Sequence, residues 1–271
     1  MTTETVAGPM GEVRAASTAG GGTALTTTAV RIVLPIGTRW LSLTPRNFTT
    51  AVVAKFNFNP WLTVLKTSDG LKTVAALTDY STNAQDGSTS TDVDLSSLNV
   101  GGAGGYLYVG ASAPFGGAAI DIDAANGTAS IILVEYWNGS AWADITATDG
   151  TASGGAAMAI DGSVTWTVPT AWAPVALQGT VTTPAQSDLL ATNLFWTRWS
   201  FTVALDSTTT LNSLIAINRS TAYAELVSGQ AFEESVSVGT GGISGVTALT
   251  DAGTANLIVN VATRGKGLLF A

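Results

Sequence analysis

Short runs of β-branched and aromatic residues, broken by Gly, Pro, Asn and Asp, set the pattern of this chain. The clearest is Ser130-Ile-Ile-Leu-Val-Glu-Tyr-Trp137, then Asn138-Gly139, then Ser140-Ala-Trp-Ala-Asp-Ile-Thr146. It predicts a β-hairpin, with Asn-Gly supplying a type I′ turn because both central residues of that turn need positive φ. Val164-Thr-Trp-Thr-Val168 alternates strictly, as a half-buried strand does. Residues 106–109, 194–205, 214–217, 223–227 and 257–261 also read as strands, with turn signals at Asp149-Gly150 and Asp161-Gly162. Residues 222–234 are expected to include a short helix. The predicted fold is all-β: an antiparallel β-sandwich, jelly-roll-like, with a smaller β subdomain and an extended N-terminal arm.

Composition shifts suggest four segments. Residues 1–28 are Gly/Ala/Thr-rich with little apolar periodicity and read as an extended arm, for which a neighbouring subunit is the natural partner. Residues 29–100 form a small β subdomain and linker, with strands punctuated by Pro35, Pro45 and Pro60 and with Trp40 and Trp61 as anchors. Residues 67–105 within and beyond it are rich in Ser, Thr, Asp and Gly and end in Gly101-Gly102-Ala103-Gly104-Gly105, which reads as a hinge. Residues 101–206 are the β-sandwich, and 207–271 a C-terminal β segment packing on the subdomain or on a neighbour. The closing Gly265-Lys-Gly-Leu-Leu-Phe-Ala271 places apolar residues where a chain normally frays, so they are expected to pack on something.

The 271 residues are 46% hydrophobic and include eight tryptophans, enough for a core without covalent staples. Cysteine and histidine are both absent. That removes disulfides, thiolate sites, Ser-His-Asp chemistry and His-based zinc sites, leaving only carboxylate, Lys or Tyr chemistry. An enzyme is therefore not expected. The net charge is −8, and no basic residue occurs between Lys72 and Arg198. Such a chain is not expected to bind nucleic acid or an anionic membrane. Arg31, Arg39, Arg46, Lys55, Lys66 and Lys72 precede the acidic stretch. The asymmetry suits head-to-tail packing between copies, and solvated strand edges account for it as well. Neither a secretory signal nor a membrane-length apolar run is visible, so the chain is expected to be made in the cytoplasm and to stay soluble.

Candidate chemistry is thin. Asp121, Asp123 and Asn126, and Asp92 with Asp94, offer oxygen ligands of the kind calcium prefers, but neither set completes a calcium-loop pattern, and solvated carboxylates explain them better. Glu135 and Asp144 flank the hairpin as a conceivable glycosidase pair. Counted from a two-residue turn, Asp144 lies across from residue 133 or 134, which leaves Glu135 only diagonal to it. Trp137, Trp142, Trp166, Trp172, Trp196 and Trp199 would make a sugar-stacking platform if exposed and a core if buried, and core is the commoner use. Gly239-Thr-Gly-Gly-Ile-Ser244 nearly spells a dinucleotide fingerprint but lacks the last glycine, and reads as a turn. No catalytic, cofactor-binding or metal residue is expected, and no cofactor.

Residues 105 to about 202 contain Tyr106-Leu-Tyr-Val-Gly110, Phe115, Tyr136-Trp-Asn-Gly-Ser-Ala-Trp142, Asp149-Gly-Thr151, Gly162-Ser-Val-Thr-Trp166, Pro169-Thr-Ala-Trp172 and Trp196-Thr-Arg198. Together they resemble a β-sandwich module found in virion proteins of tailed bacteriophages. The resemblance covers over a third of the chain and rests on aromatics and turns, not on catalytic groups. It implies a non-catalytic structural part of the virion that self-associates, with homo-oligomers expected, or docks on other virion proteins, the major capsid protein or tail proteins. A capsid decoration or cement protein is favoured; a tail, baseplate or fibre component and a carbohydrate-binding receptor-recognition module are the alternatives.

Overall fold

A computed structural model of the chain describes residues 14–15 (backbone only), 22–50, 53–98, 103–218 and 224–262. The protein is all-β, and the helical segments among the described residues are 3-10 turns. It divides into two compact units, one made of Met1–Asn59 and Ser220–Ala271, the other of Pro60–Arg219. The expected boundaries near 100 and 206 therefore move to about 60 and 219.

In chain order the strands begin with β1 (Arg14–Ala15), β2 (Thr23–Leu25), β3 (Val30–Val33), β4 (Trp40–Arg46) and β5 (Ala54–Pro60). There follow β6 (Thr63–Thr67), β7 (Leu77–Asp79), β8 (Val93–Asp94), β9 (Tyr106–Ala111), β10 (Phe115–Ala124), β11 (Ile132–Trp137) and β12 (Trp142–Asp144). The last are β13 (Thr148–Asp149), β14 (Gly162–Thr165), β15 (Val175–Ala176), β16 (Asn193–Phe201), β17 (Thr210–Asn218), β18 (Ala224–Leu226), β19 (Phe232–Ser235), β20 (Ile243–Thr250) and β21 (Ala255–Ala262).

The discontinuous unit packs a β1-β21-β4-β19 sheet, with β2 also on β21, against a β18-β5-β20-β3 sheet. Period-two patterning builds its core: Leu257, Val259 and Val261 of β21 are buried, and Val259 and Val261 lie opposite Leu43 and Leu41 of β4. Most of the expected arm lies outside the described residues. Its last part is strand β2, paired antiparallel with β21, and Leu25 is fully buried. The 265–271 run also lies outside the described residues. The expected helix over 222–234 is not formed in its described part: β18 pairs with β5 and β19 with β4, joined by a turn at Gly229 (φ +77°). Sheet partners supplied by distant strands override the local preference. The Gly239 to Ser244 stretch is a turn, as expected, with Gly242 N donating to Gly239 O at 2.9 Å.

The continuous unit stacks a β12-β11-β16-β9-β6-β7 sheet, with β15 also on β16, over a β13-β14-β10-β17-β8 sheet. Leu107, Val109, Ile132, Val134, Trp199 and Phe201 face the second sheet and are buried against Ala118, Ile120, Val164 and Leu214. The stretch read as a linker belongs to this sandwich. β6 pairs with β9 from Thr63↔Gly110 to Thr67↔Tyr106, β8 pairs with β17, and Leu62, Val64, Val93 and Leu95 enter the core. A third layer covers part of the outer face of the six-stranded sheet: Leu177, Ala185 and Leu190 pack on Leu65, Tyr108, Leu194 and Trp196.

The β11–β12 hairpin forms, but its turn is not the expected two-residue one. Trp137 pairs with Trp142, leaving a four-residue loop in which Asn138 Oδ1 accepts from Ser140 N, Ser140 Oγ and Ala141 N at 2.9–3.0 Å. The Asn side chain builds the loop, and Gly139 takes the left-handed conformation (φ +97°) that it needs.

Candidate docking face

Strand parity assigns the outer face of the six-stranded sheet. On β11, Ile132 and Val134 point into the core, so Leu133, Glu135 and Trp137 point outward. On β16, Leu194 and Trp196 lie outward under the covering layer, and Arg198 follows on the same face.

The two extra residues in the hairpin loop shift its register and place Asp144 directly opposite Glu135 rather than opposite 133 or 134. Glu135 is nevertheless engaged elsewhere. It pairs with Arg198 across the neighbouring strand, Nη2 at 2.7 Å and Nε at 2.8 Å from Oε2. The guanidinium lies 4.6 Å from the centre of the Tyr106 ring and 4.8 Å from that of Trp142. Asp144 Oδ1 accepts from Thr146 N. Both carboxylates thus hold structure. Beneath them burial pushes the Tyr108 phenol well above its ordinary value, a rise only partly opposed by Arg198, so it stays protonated.

The tryptophans do not form a platform. Trp166, Trp172, Trp196 and Trp199 are buried, and each indole N–H is bonded internally, to Phe115 O, Trp196 O, Val175 O and Thr197 Oγ1 respectively. Trp137 and Trp142 are half-buried on the outer face but meet edge to face at 69°, not as a coplanar pair.

The candidate metal ligands are dispersed into turns. Asp94 accepts from Ser96 N and from Lys66, which turns inward at the mouth of the sandwich and also donates to Ser96 O at 3.1 Å. The Asp92 backbone carbonyl accepts from Asn83 Nδ2. Asp121 accepts from Asn212 and Asp123 from Thr210. Asn126, 1% exposed, donates to Thr128 O, Ser130 Oγ and Ala157 O and accepts from Thr128 N and Asp206 N. Among the described residues no group of three acidic side chains converges. Beside Lys66 and Asp94 a cavity of about 340 Å³ is lined mainly by Ser, Thr and Ala side chains and Tyr80.

Beside the exposed Asp144, the outer face is open at apolar residues of β11 and just before it. Ile131 is 65% exposed and Leu133 49%, two residues apart on one side of the strand. Thr202 N donates to Ile131 O and Thr202 Oγ1 accepts from Ile131 N. The covering layer reaches Leu194 and Trp196 at one end of this sheet and leaves Ile131 and Leu133 bare. Sequence reasoning passed over these two residues because Ile131 to Val134 reads simply as an apolar strand. Yet four apolar residues in succession put two on each face, and that was the available signal.

Comparison with family models, with curated proteins and with solved structures finds no match for this chain. The unit that holds this face has four basic and thirteen acidic residues, a net charge of −9. The open face is therefore an apolar strand on an acidic body.

Proposed function

We propose that this chain is a non-catalytic structural component of a tailed-phage particle, a capsid decoration or cement protein that bridges coat subunits. The observation that carries the reading is the half-covered outer face of the six-stranded sheet, apolar and open at Ile131 and Leu133. Exposed contiguous apolar residues favour a protein contact. The residues of the phage-like module support the same reading, since Phe115, Trp166, Trp172 and Trp199 are packing groups and Asn138 and Asp149 are turn-makers. A cement protein works by adding buried area across joints between coat subunits, about 800 Å² on each partner for a stable contact.

Reconstruction of the intact particle by cryo-electron microscopy tests this. Copies over capsid joints with Ile131 and Leu133 covered support it. Copies confined to the tail replace it with a tail, baseplate or fibre role, and absence from the particle overturns it.

A further inference from the structure

We infer that the segment following Ala262 of one copy docks on the Ile131–Leu133 face of another, so that the chain associates head to tail. This rests on the docking reading above and names the partner of that face. Residues 263–271 carry Arg264 and Lys266, no acidic residue, and then Leu268, Leu269 and Phe270. They are basic and apolar; the receiving unit is acidic, at net −9, and exposes apolar residues. Two of the four basic residues of that unit, Lys66 and Arg198, are already paired with Asp94 and Glu135, so they do not repel an incoming cation. Nine residues extend up to about 30 Å, enough to cross to a neighbouring copy and lie along a strand. Donor and acceptor are different surfaces, so the contact is heterologous and propagates into rings or lattices.

The test uses the full chain in two variants, Leu133→Asp on the face and Leu269→Asp with Phe270→Ser on the segment. Leu133 points away from the core, so its variant keeps the native circular dichroism spectrum. In sedimentation velocity the unmodified chain is expected to associate with rising concentration and to dissociate as salt is raised. Each variant alone should associate about tenfold more weakly or worse. Mixed one to one, they should form a heterodimer, because one brings an intact segment and the other an intact face.

An unmodified chain that stays monomeric overturns the inference, as does association that survives either variant or a mixture that fails to pair. A monomeric chain that still occupies capsid joints would overturn this contact and leave the particle role standing; head-to-tail association of a chain absent from particles would do the reverse.

Discussion

Replacing Gly110 by alanine should destabilise the larger unit sharply. Gly110 in β9 lies directly opposite Trp196 in β16, and the indole rests on it: an added Cβ would stand 2.4 Å from Cε3 and 2.7 Å from Cδ2 and Cζ3. Carbon contacts settle near ~3.5 Å, so the ring must move by about 1 Å. Trp196 has no exposed surface, and its Nε1 donates to Val175 O at 3.0 Å. Overpacking costs about 1–3 kcal/mol and a buried donor left unpaired about 1–3 kcal/mol, so the expected loss is about 3 kcal/mol. In a unit of this size each kcal/mol lowers Tm by about 2–4 °C, which gives a fall of roughly 10 °C. Seven of the eight tryptophans lie in Pro60–Arg219, so tryptophan fluorescence during a urea or thermal melt reads this unit. A loss below about 0.5 kcal/mol would refute the reasoning. So would strict additivity with Trp196→Leu, since a smaller side chain should relieve the clash and make the pair cost less than its parts.

Glu135→Gln should cost about 1–2 kcal/mol in a urea melt, because it leaves the guanidinium of Arg198 held between Tyr106 and Trp142 without its carboxylate. Arg198→Lys should cost a similar amount, since an ammonium cannot both stack and make two bonds to Glu135. Acid should destabilise the larger unit through carboxylates held below their ordinary value of 3.8. Burial raises Asp94, but bonds from Ser96 and the nearby Lys66 outweigh it; burial likewise raises Asp69 less than bonds from Thr73, Lys72 and Thr67 lower it. Asp206 is lowered chiefly by Thr128. Their contribution is fully present above the unfolded value and is lost as pH falls through the depressed folded values, so Tm should be flat down to about pH 4 and drop below it. A Tm that holds steady from pH 5 to about pH 2.5 would contradict this assignment.

Alternation was legible wherever one face of a strand is buried. Val164 and Trp166, Leu257 to Val261 and the two strands of the Ser130–Thr146 hairpin read correctly because period two is a local property, whereas the hairpin's turn and register did not. The division into units was not, since β6 meets β9 across some forty residues of sequence and β4 meets β21 across more than two hundred. No local pattern encodes such pairings. The Trp cluster shows the same limit from another side. Spacing tells that Trp196 points away from Trp199, but not that residues 175–190 return to cover it. The face at Ile131 and Leu133 is the place where that return stops.

The polar stretches that resembled linker or metal loop share one device. Asp79, Asp86, Asp94, Asp144 and Asp149 each accept a hydrogen bond from the backbone N–H two residues on, and a Ser or Thr stands there each time. Asn126 and Asn138 do the same with Thr128 and Ser140. Such side-chain turns replace backbone bonds and let short strands follow one another closely. At these five aspartates one carboxylate oxygen is thus committed to holding a turn. The two asparagines show that the turn itself needs no charge. The five aspartates also add to the negative field of the unit, which attracts cations and keeps like surfaces apart. On a body of net −9, a field of that sign is in keeping with the proposed docking of a basic, apolar segment at Ile131 and Leu133 rather than of a second identical face.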